Sequence, residues 1–300
     1  MKPDDTAHGE PLPDTANPFL GRTSEIPGLD TLSEDADAFL IDQFGTIHDG
    51  EHPYPDAIET LHAIRSAGKK VILLSNSGRR ATNNDARLAA MGFTTDCYDA
   101  SLCSGEVGWA DLRADPLPCL RQHCRILLLA RDPSLDILEG FDIEPVDTVE
   151  SADLIMLAGS QTDLYGYDTL WDRIRPGIAR NIPLVCTNPD RLMLAGGQLH
   201  PGAGTLAEAY RNAGGHVRWY GKPYPRLYRA AFALLPGIPR PRIFGVGDSI
   251  EHDVAGAAAR GCNSVLTRTG IIAHASDAAL AAEMTRYACR PTTIMSRFQW

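Results

Sequence analysis

Phe39-Leu40-Ile41-Asp42-Gln43-Phe44-Gly45-Thr46-Ile47-His48-Asp49-Gly50 is the stretch on which the reading of the fold turns. An apolar run ends in an aspartate, and a glycine and a polar segment follow. That order describes a buried strand that delivers a carboxylate to its C-terminal tip. An aspartate in such a place also serves as a turn former or helix cap, so the stretch gains meaning only from what lies around it.

Outward from it the same grammar recurs. Pro55-Asp56 opens a helical pattern with Ile58, Leu61 and Ile64 on one face and a stop at Ala67-Gly68. Lys70-Val71-Ile72-Leu73-Leu74 is a continuous apolar run, as expected of a strand buried on both faces, and it ends in Ser75-Asn76-Ser77-Gly78. A helix is predicted over Asn83 to Met91, with Gly92 closing it. Toward the C-terminus the alternation resumes. Val217 to Tyr220 reads as a strand ending at Gly221-Lys222-Pro223, and Arg242 to Val246 as one ending at Gly247-Asp248. An alanine-rich helix over Asp253 to Arg260 leads to a last strand, Ser264 to Thr267.

Strand–helix alternation of this kind predicts an α/β protein with a doubly wound parallel sheet. Residues 106–203 carry strands of their own, at Arg125 to Ala130, Asp153 to Ala158 and Pro183 to Thr187. They are expected to form an inserted α/β domain within a core made of 35–105 and 204–300. Residues 1–34 read as an N-terminal arm, with Pro18-Phe19-Leu20 and Ile26-Pro27-Gly28-Leu29 as docking points.

The chain has 300 residues and a net charge of -10. The acidic balance argues against nucleic acid or an anionic membrane as partner. No apolar run approaches the roughly 20 residues of a membrane span, and the N-terminus lacks the basic start and apolar core of a signal peptide. A cytoplasmic protein is expected. Seven cysteines are scattered without a C-x-x-C pair, which argues against a zinc site.

Four expected strand ends carry polar groups: Asp42, Ser75 with Asn76, Lys222 and Asp248. In a doubly wound sheet the carboxyl ends lie side by side, so these groups can converge in one crevice. Two carboxylates with a hydroxyl, an amide and an ammonium suit a site for Mg2+ and phosphate. Asp253 would orient Lys222 or a metal-bound water.

Asp42-x-Phe44-Gly45-Thr46, the run into Ser75-Asn76, Gly221-Lys222-Pro223 and Gly247-Asp248-x4-Asp253 resemble the four ordered motifs of the haloacid dehalogenase (HAD) superfamily. The long insert between the second and third motifs is similar to the subgroup with a large α/β cap, the nitrophenyl-phosphatase-like enzymes (subfamily IIA). Gly50, Cys186-Thr187-Asn188-Pro189-Asp190 and Pro201-Gly202-Ala203-Gly204 resemble that subgroup too. The resemblance implies a Mg2+-dependent phosphatase of small phosphorylated metabolites. Asp42 would be the nucleophile that takes the phosphoryl group. The Asp42 carboxylate, the Phe44 backbone carbonyl and Asp248 would ligate the metal, with Asp253 in support. Ser75, Asn76 and Lys222 would hold the phosphoryl group. The family also implies a homodimer paired through the cap.

The segment after the first motif forms the site entrance in that family, so His48 and Asp49 are candidates for proton donation or substrate contact. Asn188 either faces substrate or belongs to a turn. One departure from the pattern stands out. Most phosphatases of this type carry a second aspartate two residues after the nucleophile, as the acid for the leaving group, and this chain has Phe44. Two other readings follow from it: a metal-independent, dehalogenase-like hydrolase, or a weakly active binding or regulatory protein on the same fold.

Overall fold

The computed structural model describes residues 23–131, 134 and 136–300. Its strands, in chain order, are β1 (Ser24–Glu25), β2 (Ala38–Asp42), β3 (Lys70–Ser75), β4 (Ala100–Cys103), β5 (Cys124–Leu129), β6 (Ile143–Pro145) and β7 (Leu154–Leu157). They continue as β8 (Leu184–Cys186), β9 (Leu192–Ala195), β10 (Gln198–Pro201), β11 (Val217–Trp219), β12 (Ile243–Gly247), β13 (Asn263–Thr267) and β14 (Thr293–Met295). Contacts divide the chain into two units. One holds the described residues up to Ser75 with Asp85–Leu102 and Lys222–Trp300, and the other holds Asn76–Asn84 and Cys103–Gly221.

The first unit is built on a seven-stranded sheet in the order β1-β14-β13-β12-β2-β3-β4. β2 and β12 are central and parallel, and the order runs outward from them in both directions. That is the topological switch point of a doubly wound sheet, where a crevice opens beyond the strand ends. Every residue of β2 and of β12 is buried. This explains why both read as unbroken apolar runs rather than as alternating ones. Phe39, Ile41, Val71, Leu73, Phe244 and Val246 join Leu61 and Ile64 of the helix Ala57–Ser66 in one core.

In the N-terminal arm Ile26 and Leu29 pack on the body, as expected of a docking point, and the segment before them is joined to it as well. Ser24 and Glu25 pair in parallel with Thr293 and Ile294 as the edge strand β1, and the Leu29 amide donates to the Gln299 carbonyl at 3.0 Å. Leu29 and Leu32 are buried. From Ser24 onward, therefore, the segment belongs to the body, because the chain's own C-terminal stretch supplies an edge and an apolar seat for it. The docking expected of Pro18-Phe19-Leu20 lies outside the described residues.

The second unit has a five-stranded parallel sheet, order β11-β8-β7-β5-β6, and the antiparallel hairpin β9–β10. Here too the sequence reading needs correction. Val217 to Trp219 pairs with Leu184 to Cys186, in the sheet of the insert rather than that of the core. Tyr220 is fully buried in the insert's own core with Ile126, Leu154 and Val185. A short apolar strand announces that it will be buried but not in which sheet. No helix among the described residues is long and apolar enough to cross a membrane.

Candidate active site

β2 and β12 run in register with Ile41 opposite Val246, so Asp42 and Asp248 leave the sheet side by side. Leu74 lies opposite Asp42, which puts Ser75 at the neighbouring strand end on the other side. Lys222 joins the first unit directly after the return from β11. Its ammonium donates to Asp42 Oδ1 at 2.5 Å and to Asp253 Oδ1 at 2.7 Å. Asp42, Ser75, Lys222, Asp248 and Asp253 are all buried.

Backbone amides and hydroxyls fix the carboxylates. Asp42 Oδ2 accepts from the Thr46 hydroxyl at 3.2 Å. Asp248 Oδ2 accepts from the Ile271 amide at 2.7 Å. Asp253 Oδ2 accepts from the Ser249 amide at 3.1 Å. The helix expected over Asp253 to Arg260 begins instead as a wide π-type turn, Ile250–Val254, followed by Ala255–Ala258. The cause is local: Ser249 Oγ accepts the His252 amide, while Asp253 reaches back to the Ser249 amide.

The electrostatics are lopsided. Carboxylate oxygens of Asp42, Asp248 and Asp253 lie within 4.8 Å of one another. Three carboxylates around one ammonium, when all are ionised, leave an excess of two negative charges in a buried place. Burial, and then repulsion from Asp42 and Asp253, push the Asp248 carboxyl well above the usual carboxylate range. Burial pulls the Lys222 ammonium down, but Asp253 and Asp42 outweigh it and hold the group firmly charged. A divalent cation matches both the excess charge and the all-oxygen donor set. The Asp248 carboxylate itself is closely seated: a Cβ on Gly45 would lie 2.2 Å, and one on Gly270 1.8 Å, from Asp248 Oδ2. Both glycines have positive φ, +85° and +52°.

His48 and Asp49, in the segment after Asp42, are engaged in the turn itself. His48 is buried, and its Nδ1 accepts the Gly50 amide at 3.0 Å. Its ring sits between those of Phe44 and Phe93, with centroids 6.1 and 6.2 Å away. Burial, with Arg87 adding to it, pushes the imidazole down to about 4. Such a group is neutral near pH 7 and has no ready proton to give. Asp49 Oδ1 accepts the amides of Glu51 and His52 at 2.8 and 2.7 Å, which lowers its pKa and makes it a turn cap. Phe44 is half-buried, and its ring lies over Gly50.

Asn76 and Asn188 fall in the second unit. The Asn76 amide donates to Asp190 Oδ1 at 2.8 Å, and Asn188 Oδ1 accepts the Asp190 amide at 3.2 Å. The Gly204 amide donates to the Asp190 carbonyl at 2.9 Å, and a Cβ on Gly204 would lie 1.9 Å from the Pro189 carbonyl oxygen. Asn188-Pro189-Asp190 and Gly202-Ala203-Gly204 are thus halves of one packed junction.

The sequence reading passed over the loop after β13. There the Thr269 hydroxyl donates to the Gly45 carbonyl at 2.5 Å, and Gly270 and Ile271 close on Asp248. Thr267-Arg268-Thr269-Gly270 also follows an apolar run, so the strand-end rule that found Asp248 would have found it.

The chain is similar to known proteins over most of its length. Residues 39–144 match the family model described as haloacid dehalogenase-like hydrolase, and residues 219–299 match the one described as HAD-hydrolase-like. Chronophin from Rattus norvegicus is 30% identical over 79% of this chain and 77% of its own length. D-glycerol 3-phosphate phosphatase from Mycobacterium tuberculosis is 29% identical over 81% of this chain and 66% of its own length. A crystal structure of glycerol phosphate phosphatase from that organism, in complex with magnesium, matches with a TM-score of 0.62, at 25% identity over 88% of this chain and 76% of that one. A haloacid dehalogenase-like family hydrolase from Brucella suis 1330 matches with a TM-score of 0.76, at 28% identity over 91% of this chain and 99% of that one.

Proposed function

The chain belongs to the haloacid dehalogenase-like hydrolases and is a phosphoric monoester hydrolase of that family, and from that premise we propose a magnesium-dependent phosphatase of small phosphorylated metabolites acting through a phosphoryl-aspartate on Asp42. The observation that carries the reading is the buried set of three carboxylates around the Lys222 ammonium, with its excess of two negative charges when all are ionised. A metal-independent, dehalogenase-like hydrolase has no use for such a set. The small-metabolite assignment is supported by the relative named for D-glycerol 3-phosphate.

In this reading Asp42, the Phe44 backbone carbonyl and Asp248 would hold Mg2+, which when bound would offset charge on the phosphoryl oxygens and on the attacking carboxylate. Asp42 attacks phosphorus, the P–O ester bond breaks, and the leaving oxygen departs with the bonding pair as an alkoxide or aryloxide that takes its proton from solvent. Lys222, held by Asp253, places its positive charge on the phosphoryl oxygens, and Ser75 donates a hydroxyl to them. Water then cleaves the phosphoryl-aspartate to inorganic phosphate and free Asp42.

No carboxylic acid stands at position 44 to protonate the leaving oxygen, and His48 and Asp49 are committed to the turn. A positioned acid contributes typically 10²- to 10⁴-fold. The enzyme therefore favours esters whose leaving groups depart without help, aryl and acyl phosphates over alkyl phosphates. The test is phosphate release from a panel of phosphorylated metabolites, with Mg2+ and after EDTA. Activity that vanishes with the metal, and falls by about 10³-fold or more in Asp42→Asn, supports the reading. Activity indifferent to metal removal overturns it.

A further inference from the structure

In the first unit, apart from the catalytic carboxylates, three chemically different ligand groups meet. His62 lies on the helix Ala57–Ser66, and Asp96 and Cys97 lie in the turn before β4. Cys97 Sγ is 3.6 Å from His62 Nε2, and Asp96 Oδ2 is 3.9 Å from the same nitrogen. One ligand atom from each residue falls within 4.8 Å of the other two.

The spacing has a meaning. Zinc–sulfur and zinc–nitrogen bonds of about 2.3 and 2.0–2.1 Å at a tetrahedral angle put sulfur and nitrogen about 3.5 Å apart. The nitrogen–sulfur contact, a hydrogen bond in the metal-free protein, has the length that a shared ion would also set. The nitrogen–oxygen distance is longer than the roughly 3.3 Å such an ion sets, but the Asp96 side chain is 70% exposed and closes it by rotation.

The surroundings hold the set in place. The Thr94 hydroxyl hydrogen-bonds to Asp96 Oδ1, which leaves Oδ2 turned toward His62. Support of a ligating carboxylate from outside is the usual second layer of a metal site. Arg65, on the same helix as His62, donates to the Asp96 carbonyl at 2.6 Å. The Cys97 amide donates to the Thr94 carbonyl at 2.9 Å. Burial is graded across the three: Cys97 is fully buried, and the His62 side chain is 43% exposed. The His62 and Asp96 side chains are the partly open side of the set.

We propose that His62, Asp96 and Cys97 form a second metal site, for a divalent ion of the zinc class, which pins the turn before β4 to the helix Ala57–Ser66. Thiolate and imidazole select zinc, cobalt and their neighbours and disfavour magnesium. The two metal sites of the protein are therefore sorted by ligand chemistry. On binding, the Cys97 thiol gives its proton to solvent and sulfur bonds the metal, with no change of oxidation state. The sequence reading ruled out zinc for lack of a C-x-x-C pair. The ligands here come from two elements about 35 residues apart, a spacing that no local motif encodes.

The full chain, reduced and stripped with EDTA, is supplied with excess Mg2+ to fill the catalytic carboxylates and is then titrated with Co2+. One equivalent develops the near-ultraviolet thiolate-to-cobalt band, and Zn2+ displaces it. Cys97→Ser loses the band, and His62→Ala weakens cobalt affinity at least tenfold. No band in the wild type, or the same band in Cys97→Ser, overturns the proposal. Should Cys97→Ser fail to fold, the partly exposed His62→Ala decides: cobalt affinity equal to wild type overturns it.

Discussion

At residue 44 the proposed mechanism turns on a single side chain. In that proposal Phe44 offers its backbone carbonyl to the metal site and no carboxyl to the leaving group. Phe44→Asp is expected to raise turnover of alkyl phosphates by about 10²-fold and that of aryl phosphates much less, which steady-state phosphate release on both kinds would check. His48, four residues on, makes a prediction about stability. The unfolded imidazole titrates at 6.5 and the folded one at about 4. Between these values the unfolded chain binds the proton that the folded one refuses. The contribution of His48 is therefore complete above 6.5, declines as pH falls, and is lost below about 4. Urea unfolding should find that the wild type loses about 2 kcal/mol more than His48→Asn between pH 7 and pH 5. Asp42, Asp248 and Lys222 were legible in the sequence because each closes an apolar run, and Asp253 through its fixed spacing from Asp248. His48 was misread because a histidine among polar neighbours gives no sign that two aromatic rings and an amide enclose it.

At the scale of elements, the strand ends set the chemistry and the loops behind them set its tolerance. The strand-end carboxylates Asp42 and Asp248 needed only the parallel order β12-β2-β3 to come together. The loop after β13 closes the site with Gly270, whose positive φ and lack of a side chain let Asp248 sit against it. Gly270→Ala meets Asp248 Oδ2 and strains the backbone, which costs about 1–3 kcal/mol. Isothermal titration should show Mg2+ affinity down at least tenfold, and thermal unfolding a lower midpoint. β2, β3 and β12 could be read from sequence because burial on both faces removes polar interruption. The sheet to which β11 belongs could not, since that depends on its pairing with β8 and on the burial of Tyr220 in the insert's core. The edge strand β1 was hidden for a similar reason: its partner β14 lies near the other end of the chain.

For the whole molecule, the proposed metal site makes the balance between the buried carboxylates and a bound cation a matter of stability as well as of activity. The folded-state pKa of Asp248 is raised above its unfolded value. In the metal-free protein its contribution is thus most favourable at low pH and is lost as pH rises through the folded value. Near neutrality the metal-free fold bears that repulsion. Asp248→Asn is expected to raise the metal-free melting temperature by a few degrees while abolishing the rise that Mg2+ gives the wild type. Calorimetry with and without the metal checks both. The same account makes the reaction depend on the leaving group, because the metal and Lys222 neutralise the phosphoryl group while nothing at position 44 serves the departing oxygen. The most direct measurement is therefore the wild-type rate of phosphate release, with Mg2+, across monoesters of graded leaving-group acidity. The account predicts a steep fall in rate from aryl to alkyl esters. A rate independent of the leaving group, with the chemical step limiting, would contradict it.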